Sequence, residues 1–158
     1  MIEISSELIE KVLRPYKPEC RFLKSASLDY PRISGVFLIG QTYYHTPTLK
    51  HATDIEIQLC LNQLLYAGVA EMMEKQSIPE LEGLSFGELR EENMLIVKSE
   101  KRFKKPIKTD REIFGEIGVD KWRSYGRLLV AQTNFQFENR SCFGNLELVI
   151  IRLGARKK

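Results

Sequence analysis

"DIEIQLCLNQLLYAGVAEMM", residues 54–73, decides how the rest of the chain is read. It has the length and spacing of one long helix, and Thr53 and Asp54 before it are both good N-cap types. Its apolar residues run almost all the way round, and such a helix is buried rather than laid on a surface. Inside the run sit Glu56, Gln58, Asn62, Gln63 and Tyr66. A buried polar group left unpaired costs about 1–3 kcal/mol, so these side chains form a structural network or line a pocket. Asn62 and Tyr66 are four apart and share a face with Ile55 and Leu59, while Glu56, Cys60, Gln63 and Ala67 line another.

Outward from this helix the chain is rich in strands. Residues 5–14 read as a short helix capped by Ser5 or Ser6 and broken by "RPYKP". Residues 20–30 and 34–44 read as two strands joined by the turn "YPRI". "HTPTLKHAT" (45–53) is an irregular connection into the central helix, which spans about 53–75. A linker follows, with a short helix at 85–92, and then strands at 94–103, 112–123, 126–138 and 144–154. "ENRSCFG" forms the hairpin loop between the last two. The physical solution for this order is an α+β hot-dog fold: a curved antiparallel sheet wrapped around one long central helix. The expectation is a single domain over 1–158, and sheet edges that favour a homo-oligomer, a dimer or higher.

Composition narrows the function classes. Apolar residues make up 43% and charged residues 28%, the balance of a globular domain with a real core. No segment is long and apolar enough to span a membrane, and the acidic N-terminus lacks the basic start of a signal peptide, so the expected location is cytoplasmic. Three cysteines without CxxC spacing argue against a disulfide framework or a structural zinc site. A net charge of +3 and scattered aromatics argue against nucleic acid.

The candidate chemistry gathers near the start of the central helix. Free backbone N–H groups and the positive dipole end there can polarise a thioester carbonyl or hold an oxyanion. The only two histidines, His45 and His51, fall in the connection just before it, and histidine suits proton transfer near neutral pH. "KSEKRFKKPIK" (98–108) is strongly basic. As a strand, it points Lys98, Glu100 and Arg102 one way and Lys101 and Phe103 the other. It is either a solvated edge or an anion site for the phosphates of coenzyme A or a phosphopantetheine arm, or for an acidic carrier protein. No GxSxG, HExxH or Ser/His/Asp pattern is present.

"VLRPYKPECRFL", "LCLNQLLYA" and "MLIVKSEKRFKKPI" together resemble the FcoT-like fatty acyl thioesterase family, with the blocks in the same order from about Val12 to Gly154. The resemblance implies substrates carried on acyl carrier protein or coenzyme A, no cofactor of the enzyme's own, and a hot-dog oligomer. Members of the family are thioesterases. Relatives in natural-product clusters instead add glycine to a (2E)-enoyl thioester by Michael addition. The N-(carboxymethyl)-3-aminoacyl product serves isonitrile lipopeptide or β-amino acid biosynthesis, in some cases with hydrolytic release. Carried over by position, the resemblance makes Glu56, Asn62 and Tyr66 site residues, with His51 before the helix. Two positions depart from the family thioesterase: His45, beside Tyr44, stands where it has a pocket tyrosine, and Thr53 where it has an asparagine at the helix start. The expected roles are His45 as base for the glycine ammonium, with Lys98 or Arg102 holding the carboxylate and Asn62 or Tyr66 polarising the carbonyl. Hydrolysis would use His45 or Glu56 as base for water. The alternatives are a medium- or long-chain acyl-CoA or acyl-carrier thioesterase and a non-catalytic acyl-thioester escort.

Overall fold

The structure is a computed structural model and describes residues 1–42, 44–89 and 93–152. Ile2–Glu3 forms strand β1 and Ser6–Leu13 helix α1. Strands β2 (Leu23–Asp29) and β3 (Arg32–Phe37) lead into helix α2 (Asp54–Glu74). The short helix α3 (Phe86–Leu89) precedes strands β4 (Met94–Phe103), β5 (Ile113–Tyr125), β6 (Leu128–Phe137) and β7 (Cys142–Ile151). The sheet is antiparallel throughout, in the order β1-β2-β3-β5-β6-β7-β4. This is the expected hot-dog architecture, with α2 packed against α1 and against strands β2, β3 and β5 of the sheet.

Helix α2 is buried over most of its surface, and the face of Asp54, Gln58, Asn62 and Tyr66 stays exposed or half-buried. Ile57, Leu61, Leu64, Leu65 and Met72 are fully buried along one face, and Cys60, Ala67, Val69, Ala70 and Met73, which point in the other directions, are buried too. At Gly68 the sheet comes close to the helix: a Cβ there would lie 2.3 Å from the Cδ1 of Ile33 on β3. The bare glycine lets helix and strand backbones approach where any side chain would hold them apart.

Several boundaries differ from the sequence reading. The first of the two early strands begins at Leu23, because Pro18–Cys20 makes a 3-10 turn. The second covers Arg32–Phe37 rather than 34–44. Beyond Phe37 the Leu38 N–H still donates to the Phe22 carbonyl at 2.9 Å, residues 38–42 belong to no strand, and Tyr43 lies outside the described residues. The apolar "FLI" was legible as a strand, yet Ile39 is buried against the core without joining the ladder. Strand β1 was not expected, since two residues carry no periodicity; Ile2 and Glu3 pair with Leu28 and Ser27. The hairpin loop narrows to 138–141, with Cys142 opening β7. The 85–92 helix is described only over Phe86–Leu89, and 90–92 and 153–154 lie outside the described residues. Among the described residues no helix is long and apolar enough to cross a membrane.

Candidate active site

The polar residues of α2 separate into three groups by what they touch. Gln63 is fully buried. Its Oε1 accepts from the backbone N–H groups of Phe22 and Leu23, both at 3.0 Å, and its Nε2 donates to the Cys20 carbonyl at 2.6 Å. It closes the backbone where β2 begins and belongs to the scaffold.

The second group sits at the helix start. Thr53 is the N-cap, and Glu56 three residues on completes a capping box. The Glu56 Oε2 accepts from the Thr53 backbone N–H at 2.8 Å and from the Thr53 hydroxyl. Its Oε1 accepts from the Tyr44 hydroxyl, and the Tyr44 and Thr53 hydroxyl oxygens stand 2.6 Å apart. Burial opposes ionisation of Glu56, but the hydrogen bonds from Thr53 and Tyr44 outweigh it and hold the carboxyl below its ordinary pKa. Burial and the neighbouring Glu56 push the Tyr44 phenol up. Tyr44 is therefore a proton donor to a fixed anion, and Glu56 has both oxygens engaged. A carboxylate so occupied makes a poor base for water.

The two histidines flank this group differently. His45 is exposed, and its Nδ1 lies 2.8 Å from the Pro47 carbonyl oxygen. A carbonyl can only accept, so Nδ1 carries the hydrogen and Nε2 holds the lone pair in the neutral ring. His51 forms an isolated bridge with Lys108, and Ala52 donates to the Ile107 carbonyl at 2.8 Å. The connection into α2 is thereby tied to the segment after β4. His51, Thr53 and Asp54 line a cavity of about 500 Å³ with Phe103, Lys104, Lys105 and Pro106.

The third group faces β4. Asp54, Gln58, Asn62 and Tyr66 follow one another at four-residue spacing, roughly 120° around the axis from the Glu56 face when Asn62 is compared with Glu56. Gln58 Nε2 donates to Asn62 Oδ1 at 2.8 Å. Gln58 Oε1 accepts from Ser99 at 2.7 Å and from Lys101 Nζ at 2.5 Å, and Lys101 also reaches Ser99 Oγ at 2.7 Å and Asp54 Oδ1 at 3.2 Å. Tyr66 donates to the Met94 carbonyl at 3.4 Å and packs against Phe86. Gln58, Asn62, Lys98 and Ser99 line a second cavity of about 310 Å³ with Ile96 and Val97.

The structure thus brings Tyr44, Thr53 and Glu56 into direct contact, and places Asn62 and Lys98 round a common cavity. Lys98 is paired with Glu100 at 3.4 Å, and Arg102 is exposed on the same outer side of the strand. The residue that sequence reasoning left out is Lys101, whose side chain is 10% exposed and meets α2 directly. Strand alternation already separated Lys101 from Lys98 and Arg102; what it did not show is that the Lys101 side faces the helix.

Comparison with known proteins fits this geometry. The model of the FcoT-like thioesterase domain matches residues 11–150. A (2E)-enoyl-[ACP] glycyltransferase of Mycobacterium tuberculosis is 35% identical over 114 residues, 67% of this chain and 62% of the relative. One from Mycobacterium marinum is 33% identical over 112 residues, 66% of this chain and 60% of the relative. The matched part thus spans a little under two thirds of these relatives' length. The zebrafish thioesterase superfamily member 2 structure shares the fold, with a TM-score of 0.53 at 10% identity, covering 94% of each chain. By the extent of the domain match, with the hot-dog sheet and its buried helix in place, this chain belongs to the FcoT-like thioesterase family.

Proposed function

We propose that this protein is an acyl-thioester enzyme that adds the amine of glycine to C3 of a (2E)-enoyl group carried on acyl carrier protein, giving an N-(carboxymethyl)-3-aminoacyl thioester. The observation that carries the reading is the 33–35% identity to two proteins named (2E)-enoyl-[ACP] glycyltransferase. The product's place would be natural-product biosynthesis of the isonitrile lipopeptide or β-amino acid kind, with hydrolytic release as a secondary step.

The chemistry asks for three groups. Glycine must lose a proton from its ammonium so that nitrogen can attack C3. The C2=C3 pair then moves toward the thioester carbonyl, whose oxygen becomes an enolate, and the proton returns at C2. His45, with its lone pair on Nε2, is the base in this reading. Asn62 offers hydrogen bonding to the carbonyl, where enolate charge develops. Lys98, on the same cavity as Asn62, meets the glycine carboxylate, with Arg102 as the second cation. The exposed cations at Lys98, Arg102, Lys104, Lys105 and Lys108 suit an acidic carrier and the phosphate of its arm. The substrate's own phosphopantetheine is the only prosthetic group required. We also place the working form as a homo-oligomer: β4 ends the sheet with Leu95 and Val97 exposed, 45% and 56%, and pairing would cover them.

Hydrolysis of an acyl-CoA or acyl-carrier thioester is the second reading, favoured by the family description. Engagement of both Glu56 oxygens leaves His45 as the base for water, the same residue that serves addition. The test is intact-mass spectrometry of a 2-enoyl-acyl carrier protein incubated with the enzyme, with and without glycine. A glycine-dependent mass gain on the carrier supports addition. Loss of the acyl group without glycine, and no adduct with it, replaces addition by hydrolysis. His45→Ala should abolish turnover while leaving acyl-carrier affinity unchanged.

A further inference from the structure

We infer that Lys101 is a positioning residue that fixes the polarity of the Gln58–Asn62 amide chain, so that Asn62 turns an N–H donor rather than a carbonyl oxygen toward the acyl thioester. The inference rests on the reading above that Asn62 faces the substrate carbonyl. It goes beyond that reading by saying what makes Asn62 a donor.

An amide side chain has two ends of opposite character, and rotating it by 180° exchanges them. In a chain of two amides the polarity is ambiguous unless something at one end can only donate or only accept. Lys101 supplies that condition. Its ammonium has donors and no acceptor, and it lies 2.5 Å from Gln58. Gln58 must therefore present Oε1 to Lys101, which leaves Nε2 facing Asn62 at 2.8 Å. Asn62 must answer with Oδ1. Its Nδ2 is then directed away from Gln58, on the helix face that borders the cavity shared with Ile96, Val97 and Lys98. Ser99 reinforces the arrangement, since its oxygen accepts from Lys101 and its hydroxyl donates to the same Gln58 Oε1.

Lys101 is itself held in place. Its side chain is 10% exposed, and Asp54 at 3.2 Å anchors its charge from the first turn of α2. The Asp54 carboxylate is the only charged partner the ammonium contacts among the described residues, and it fixes where the lysine's donors point. The consequence reaches the chemistry: a developing enolate or tetrahedral oxyanion needs a hydrogen-bond donor, and an amide carbonyl in the same place would repel it.

Gln58→Glu separates polarity from packing. The carboxylate has nearly the same shape and pairs with Lys101, so the fold is retained. It can only accept, so Asn62 must rotate and donate to it, which puts the Asn62 carbonyl oxygen where the donor was. The expected result is a fall in kcat of about 100-fold, the scale of losing one oxyanion donor, with KM and Tm held near wild type. Lys101→Met frees both orientations and should cost less than Gln58→Glu, and Lys101→Arg, which keeps a pure donor, should restore most of the rate. Wild-type kcat in Gln58→Glu, measured beside active wild type, overturns the positioning role. A second readout needs no turnover. In side-chain amide exchange by NMR, the Gln58 Nε2 protons of the wild type should be protected and those of Asn62 exposed, with the Asn62 pair becoming protected in Gln58→Glu. Protection on Asn62 in the wild type overturns the polarity whatever the activity shows. Correct polarity with a wild type that turns over neither substrate instead brings down the proposed function, and with it the role given to Asn62.

Discussion

Gln63→Met is the sharpest test of how α2 is held to the sheet. Methionine has nearly the volume of glutamine and no strong hydrogen-bonding group, so the substitution isolates the polar contribution from the packing one. It removes one acceptor and one donor at a fully buried position. Three backbone groups lose their partner: the N–H of Phe22 and of Leu23, and the carbonyl of Cys20. Phe22 and Leu23 are 3% and 2% exposed, so water cannot replace Gln63 at their N–H groups without opening the start of β2. At about 1–3 kcal/mol for each unsatisfied buried group, two fully shielded N–H groups give about 2–6 kcal/mol. Partial relief by solvent at Cys20, which is half-buried, and the apolar gain from methionine bring the expectation to about 3 kcal/mol. That is a large fraction of the roughly 5–15 kcal/mol that holds a domain folded. Urea denaturation followed by circular dichroism reads it directly as a shift in midpoint at constant slope. A loss below about 1 kcal/mol would refute the reasoning, because it would mean that the three backbone groups find other partners or that the glutamine is not seated between helix and strand.

Other positions give independent tests. Gly68→Ala gains about 1 kcal/mol of helix propensity but drives a Cβ to 2.3 Å from Ile33, which is itself fully buried, so overpacking of about 1–3 kcal/mol wins and Tm falls. Glu56 has a lowered pKa, so its hydrogen bonds add stability above the ordinary carboxylate value of about 4.3 and lose it as pH falls through the lowered one. Denaturation across pH should therefore show wild type more stable than Glu56→Gln by about 0.5–1 kcal/mol at pH 7, the scale of an anion at a helix N-terminus, with the gap closing in acid. Cys142 is raised to about 11 and Cys60 well above its ordinary value, both by burial, so a thiol reagent at pH 8 should label only the half-buried Cys20 until the protein unfolds.

The hot-dog fold was legible because its deciding element is extreme. A helix apolar on every side has few places to go in a chain otherwise made of strands, and α2 ran within a residue of its expected ends since Thr53 marks its start. Edges were less legible for a physical reason. The run after Phe37 has the composition of a strand, but a strand needs a neighbour to pair with, and both neighbours end opposite Phe37, β2 at Leu23 and β5 at Ile113. Composition reports what a segment could do; the sheet decides which segments find a partner.

The site divides along the same line. Helical spacing put Asn62 and Tyr66 on one face and Glu56 and Gln63 on another, and the structure keeps them there. Spacing cannot tell which face meets which strand, so the face of Glu56 and Gln63 reads equally as a network or a pocket, and it is the start of β2 that makes Gln63 part of the scaffold. The same holds for the basic run, where Lys98, Lys101 and Arg102 are chemically alike on paper. A one-residue offset along β4 sends Lys98 and Arg102 outward and Lys101 inward to Asp54 and Gln58. The exposed pair can meet anions from solvent, whereas the inward lysine spends its donors on the protein. Its influence on a reaction then passes through the orientation of its neighbours, and only contacts between distant parts of the chain, here 43 residues apart, can reveal it.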